Sequence, residues 1–229
     1  SAGGIKVGQN LEGLTVRATL RDVLADNTIE VSDDCLWATA WREMPLPSIG
    51  RRGRGSWLVV DGGDEAGATL VQELKARGMD ARRLPPRMAI GSLDNCSGVV
   101  LLAMRTASFA DMDAENLQTD VVDLCRRAND IALAALRQSQ PTRLVVVTSG
   151  AQQVDGSENH ADGVAQAALW GWRNSLALEH PELRAKAVDL DPDAGPTGLS
   201  MLADELIADD EDERIAYRHN RRVVARLAR

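Results

Sequence analysis

The sequence predicts an α/β fold, a mostly parallel sheet with helices on both faces. Three observations predict it. Short apolar runs without polar alternation recur, as at Trp57–Val60, Val99–Leu102 and Leu144–Val147, and strands of that kind are buried on both sides. Stretches with apolar residues at three- and four-residue steps lie between them. The two patterns alternate along the chain, as they do in βαβ units with right-handed crossovers.

The first fifty residues read differently from the rest. Leu14–Leu20 alternates Leu14, Val16, Ala18 and Leu20 with polar residues, a half-buried strand pattern. Leu36–Trp41 is a second extended segment and carries Trp37 and Trp41. Pro45-Leu46-Pro47 and the run from Gly50 to Gly55, made of Gly and Arg, break regular structure. A boundary is expected there, with residues 1–50 as a linker carrying extended strands and residues 51–229 as the main domain.

Beyond it, Trp57–Val60 is a buried strand stopped by Asp61-Gly62-Gly63. A helix over Ala66–Arg77 follows, with Leu70, Val71 and Leu74 on one face and Gly78 after its end. Asp80–Leu84 is a second strand closed by Pro85-Pro86, and Val99–Leu102 a third. Leu117–Arg137 is a long helix, repeating Val121, Leu124, Ala128, Ile131 and Ala135. Leu144–Val147 is a strand ended by Thr148-Ser149-Gly150. A helix over Gly163–Glu179 stops at His180-Pro181, where a histidine favours the helix dipole. Ala185–Leu190 is a fifth strand of the domain, Leu199–Ala208 a helix, and two short strands surround Ile215 and Val223–Leu227. The crossover Pro85–Gly98 is too short and too rich in proline for a full helix. The fold is therefore a truncated Rossmann-like one, of the short-chain dehydrogenase type, with one crossover reduced.

Composition narrows the function. The 229 residues carry a net charge of -8, with 44% apolar and 26% charged residues. That is the profile of a soluble globular chain, and its acidity makes nucleic acid and anionic membranes poor partners. No apolar run approaches the ~18 residues of a membrane span. The start, Ser1-Ala2-Gly3-Gly4, has neither the basic nor the apolar part of a signal peptide, so a cytoplasmic location is expected. Cys35, Cys96 and Cys125 are widely spaced and fit neither a disulfide framework nor a zinc site.

A dinucleotide site would need glycines after the first core strand, so that backbone amides and a helix N-terminus reach the diphosphate. The chain offers Asp61-Gly62-Gly63-Asp64-Glu65-Ala66-Gly67, which has glycines but not their G-x-G-x-x-G spacing. Asp64 and Glu65 stand where the diphosphate would sit, and their charge would repel it. The loop reads as a degenerate cofactor loop or as a well-capped, empty helix start, and the second is favoured. Arg82-Arg83, at the end of the next strand, read as a solvated pair.

A short-chain reductase needs a Ser after the fourth core strand and a Tyr and a Lys from the helix that follows. Ser149 is in place, but Gly163–Glu179 contains neither Tyr nor Lys. The only Tyr, Tyr217, lies near the C-terminus, followed four residues on by Arg221; lysine occurs only at Lys6, Lys75 and Lys186. Without that Tyr no proton donor serves the developing alkoxide, a contribution worth ~10²–10⁴ in rate. Ser149 then reads as a turn residue. His160, His180 and His219 are scattered, and the acid run Asp209–Glu213 reads as a solvated loop rather than a metal site. No catalytic or metal-ligating residue is expected. Trp170 reads as a core or interface anchor, and Gly171, costly inside a helix, as a point of close packing.

The residues just read resemble one family. "WLVV", "GVVLLA", "RLVVVTSGAQ", "AALWGWRNSLALEHPELRAKAVDLDP" and "IAYRHNRRVVARLAR" together resemble the ketoreductase structural subdomain of modular type I polyketide synthases. The resemblance spans about Leu36–Arg229 and is most specific over Ala167–Pro192. It implies a non-catalytic half that binds no cofactor and braces a catalytic half holding NADPH, within a multifunctional, homodimeric synthase acting on carrier-protein-bound β-ketoacyl chains. It also implies neighbouring enoylreductase or dehydratase domains, and includes stand-alone pseudo-ketoreductases. Trp37, Trp41, Trp170, Gly171, His180 and Pro181 are the expected structural or interface residues. The alternative is an intact NADPH-dependent reductase with atypical catalytic residues, Ser149 with Arg173.

Overall fold

The computed structural model describes residues 37–47, 55–63, 65–84, 93, 96–104, 113–154, 163–208 and 210–228. The strand expected at Leu14–Leu20 and the boundary near residue 50 lie outside them. The chain divides into two compact units, residues 1–40 with 226–229, and Trp41–Ala225. Within the first, the described residues are the outer ends of two strands.

Among the described residues, eight strands and four α-helices follow in order: β1 (Ala38–Glu43), β2 (Ser56–Val60), α1 (Glu65–Ala76), β3 (Asp80–Leu84), β4 (Gly98–Leu102), α2 (Ala114–Leu136), β5 (Arg143–Ser149), α3 (Val164–Glu179), β6 (Lys186–Leu190), α4 (Gly195–Ile207), β7 (Arg214–Arg218) and β8 (Arg221–Ala228). The sheet order is β1-β8-β7-β6-β5-β4-β2-β3. Strands β2 to β7 run parallel, and β8 turns back antiparallel on β7. His219 and Asn220 make that turn with φ of 50° and 60°, the left-handed pair that a two-residue hairpin requires. The expected Rossmann-like architecture is present. Both β3 and β4 pair with β2, on opposite sides, so the strand order reverses there. Among the described residues no helix joins β3 to β4.

Strand residues alternate between two apolar layers. Leu58, Val60, Val99, Leu101, Leu144 and Val146 face α2 and α3, where Ile131, Ala135, Leu169 and Trp170 meet them. Trp57, Val59, Val100, Leu102, Val145 and Val147 face α1 and α4, against Leu70, Leu74, Leu202 and Leu206. A sheet buried on both faces is why its strands read as unbroken apolar runs.

Two helices begin earlier than their apolar periodicity suggests. For α2 the cause is Asp113, whose carboxylate accepts from the Asn116 N–H at 2.7 Å, a side-chain N-cap ahead of a polar first turn. For α4 it is Pro196, set in the first turn, where its missing N–H costs nothing. At the far end of α3, His180 is the C-cap, its backbone N–H donating to Leu176 O at 2.7 Å, and Pro181 opens a 3-10 turn.

Candidate functional site

In a parallel sheet the ligand crevice lies beyond the carboxyl ends of the strands, where the strand order reverses. Here that is the space after β2 and β4, under the N-terminus of α1. Asp61, the first residue after β2, turns its side chain into it and is fully buried there. Its carboxylate accepts from the Gly63 N–H at 2.8 Å and from Arg83 Nε and Nη2 at 2.5 and 3.0 Å. Gly67, in the first turn of α1, lies so close that a Cβ there would overlap the Asp61 carboxylate.

The loop thus holds an anion of its own. An acidic side chain takes the helix N-terminus and a backbone N–H, and Arg83 neutralises it. A dinucleotide diphosphate would need the same space and donors. Sequence reasoning set Asp64 and Glu65 at this point; the acid seated here is Asp61. Glu65 is exposed and Asp64 lies outside the described residues. Arg83 is not a solvated strand-end residue, because β3 places it beside Asp61. Gly62 has open space around its Cα.

A second set of contacts fixes the turn after β5, where Ser149 stands. Asp189, next to last in β6 and fully buried, accepts from Thr148 Oγ1 at 2.5 Å, from the Ala151 N–H at 2.9 Å and from the Gln152 N–H at 3.1 Å. Arg218 of β7 pairs with it at 2.5 Å and donates to Gln152 O at 2.7 Å. Trp170 is buried, and its indole N–H donates to Thr148 Oγ1 at 3.0 Å, which makes it a core anchor. Ser149 donates its backbone N–H to Gln166 Oε1 at 2.9 Å. Beside it, between α1 and α4, opens a cleft of about 310 Å³ whose lining includes Glu65, Met104, Ser149 and Asp191.

The alternative pair, Ser149 with Arg173, is not brought together. Ser149 ends β5, whereas Arg173 donates to Ala185 O at 2.6 Å and pairs with Glu213, both just before the starts of neighbouring strands. They face opposite rims of the sheet.

Tyr217 and Lys186 meet instead in a buried ion network away from Ser149. Glu205 of α4 is its centre. Its Oε1 accepts from Lys186 Nζ at 2.7 Å, and its Oε2 from Arg222 Nε at 2.7 Å and from Tyr217 OH at 2.7 Å. Asp210 accepts from Lys186 at 2.6 Å and also pairs with Arg222, while Asp212 accepts from Arg222 at 3.2 Å. Burial, then the Glu205 carboxylate, pushes the Tyr217 pKa far up, so this phenol keeps its proton and serves as a donor to Glu205. Within the acid run after α4, Asp210 is buried and Asp212 half-buried, while Glu211 and Glu213 are exposed. Asp210, Asp212 and Glu213 are counter-ions to cations on β6, β8 and α3, partners distant in sequence.

The remaining expected residues divide. Trp37 is half exposed, and Trp41 is partly buried with its ring edge-on to Trp170 at 6.0 Å. Gly171 is exposed, and a Cβ there would meet nothing within 4 Å among the described residues. Cys96 and Cys125 are free thiols. Among the described residues no cluster of metal-ligating side chains occurs and no helix is long and apolar enough to cross a membrane. Sequence reasoning missed Asp189, Glu205 and Arg218. Their signal was local: Asp189 and Glu205 are acids set among apolar residues of a strand and a helix, where a charge needs a buried partner.

Comparison with known proteins agrees with this architecture. The chain is 32% identical over 209 residues to one of the subunits of the phenolphthiocerol/phthiocerol polyketide synthase of Mycobacterium tuberculosis, matching 86% of this chain and 13% of that protein. It is 29% identical over 223 residues to the phthioceranic/hydroxyphthioceranic acid synthase of the same species, 88% of this chain and 10% of that protein. The chain therefore spans only about a tenth of the length of these relatives. Its fold is similar to that of a C2-type ketoreductase from a modular polyketide synthase, with a TM-score of 0.62 and 22% identity over 84% of this chain and 43% of that one. It is similar too to a structure comprising the adenylation, ketoreductase and pseudo Asub domains of a keto acid-selecting nonribosomal peptide synthetase module, with a TM-score of 0.66 and 13% identity over 93% of this chain and 21% of that one. Residues 40–227 match the family described as "Polyketide synthase extender module SpnB, Rossmann fold domain", and the chain belongs to that family.

Proposed function

We propose that this domain is the non-catalytic, structural half of a polyketide synthase ketoreductase, bracing the catalytic half that binds NADPH and reduces a carrier-protein-bound β-ketoacyl chain. The observation that carries this reading is the Asp61–Arg83 pair seated where a cofactor diphosphate would lie. Two further features support it. Tyr217 and Lys186 are committed to the Glu205 network rather than to Ser149. Helices α2 and α3, which cover one face of the sheet, carry Val122, Leu133, Val164 and Leu178 in exposed positions, apolar surface of the kind a partner covers. On this reading residues 51–229 are the bracing domain and residues 1–50 its connector. The parent is a cytoplasmic, homodimeric synthase, and the adjacent partners are the catalytic ketoreductase half and neighbouring enoylreductase or dehydratase domains.

The test is reconstitution. The catalytic half from the same synthase, made as a separate polypeptide, is mixed with this chain and assayed for NADPH-dependent reduction of a β-ketoacyl thioester. A 1:1 complex with activity at least about tenfold above the catalytic half alone is expected. Full activity of the catalytic half without this chain, and no complex, would remove the bracing role.

A further inference from the structure

Strand β1 lies at the edge of the sheet, and both ends of it are exposed. Its Trp41 reaches inward, and the contacts it makes converge on one place. The indole N–H donates to Gln153 O at 2.9 Å. The ring meets that of Trp170 edge-on. It also packs against the small apolar cluster of Val154, Ala216 and Val223. Gln153 and Val154 belong to the segment that leaves β5, and Trp170 holds Thr148 at the start of the same segment.

Residues 148–154 are therefore held by two sets of contacts, those of the Asp189–Arg218 pair and those of Trp41. Besides its pairing with β8, this end of β1 and the residue after it make the exposed Arg221–Glu43 pair at 3.5 Å and two bonds between Met44 and the buried Arg222, at 3.1 and 3.2 Å. A short edge strand with few buried side chains opens at low free-energy cost, and what its one inward ring holds opens with it.

We infer that β1 is a strap, with Trp41 as its buckle, and that its attachment sets the order of the segment after β5 at the carboxyl rim of the sheet. Moving β1 off the edge releases residues 150–154; keeping it in place keeps them ordered. The inference concerns contacts within the chain and is independent of whether the domain braces a catalytic half.

Amide hydrogen exchange of the full chain tests it. Trp41→Phe keeps a ring and removes the N–H to Gln153, and Trp41→Ala removes both. The expected result is exchange about tenfold faster at the Ala151 and Gln152 amides in Trp41→Ala, a smaller increase in Trp41→Phe, and less than about twofold change at the Gly63 amide bonded to Asp61. If Trp41→Ala does not fold, Trp41→Phe alone decides. Unchanged exchange at Ala151 and Gln152, or equal acceleration there and at Gly63, would overturn the strap.

Discussion

Replacing Asp61 by alanine is expected to lower the unfolding free energy by about 2–3 kcal/mol, read from urea denaturation. The carboxylate is fully buried and holds the Gly63 N–H and two donors of Arg83, all of which lose their acceptor. The figure is set below that for a deeply buried pair because the Arg83 side chain is 32% exposed, and water recovers part of its hydration. Asp61→Asn, which keeps an acceptor but not the charge, should lose less. Gly67 supplies the sharper arm. Gly67→Ala should destabilise the wild type, because its Cβ would overlap the carboxylate. In the Asp61→Ala background the carboxylate is gone and only the residue 61 Cβ, 3.1 Å away, is close, so the same change should cost much less, offset further by helix propensity. Additive effects of the two substitutions would show that Asp61 does not occupy the space over α1.

The second large effect belongs to Glu205. Glu205→Ala should cost about 3–5 kcal/mol, because Lys186, Arg222 and the Tyr217 hydroxyl are all buried around it. Its pH dependence has a defined sign. Burial alone would raise the Glu205 pKa, but its bonds and charge interactions with Arg222 and Lys186 outweigh that and hold it below its ordinary 4.5. In acid the unfolded chain takes up this proton before the folded one does. The stabilisation is thus complete above pH 4.5 and is lost as the pH falls below it, towards the folded pKa. Tyr217 acts at the other end. Its pKa is raised from 10.0, so the unfolded chain ionises first and stability falls as the pH rises above that value. Urea midpoints measured across pH should show a shallower acid limb in Glu205→Gln and a shallower alkaline limb in Tyr217→Phe. Limbs identical to the wild type would remove Glu205 from the centre of the network.

The sheet was legible in the sequence because it is buried on both faces. Trp57–Val60, Val99–Leu102 and Leu144–Val147 need apolar residues on both sides, and such runs stand out without any knowledge of their neighbours. Element ends were less legible where a single polar cap or a proline, as at Asp113 and Pro196, fixes the start of a helix ahead of its apolar face. The candidate site was legible in part. The lack of a fingerprint after β2 and of a Tyr in α3 could be read directly. Which acid fills the crevice could not, since Asp61 and Arg83 meet only when β3 lies beside β2. The same reason hid the ion network: Lys186, Glu205, Asp210 and Arg222 are placed together by the β6-β7-β8 order and by α4, and no local window contains them all. Gly171 marks the opposite case, a residue whose oddity in the sequence has no counterpart in contacts among the described residues.

On the proposed reading the crevice after β2, where Asp61 is paired with Arg83, takes no dinucleotide. Titrating the chain with NADPH, with energy transfer from its five tryptophans to the reduced nicotinamide as the signal, tests this most directly. The account predicts no saturable transfer and no shift of the Gly63 amide resonance. Saturable binding in the micromolar range, accompanied by release of Asp61 from Arg83 and Gly63, would contradict it.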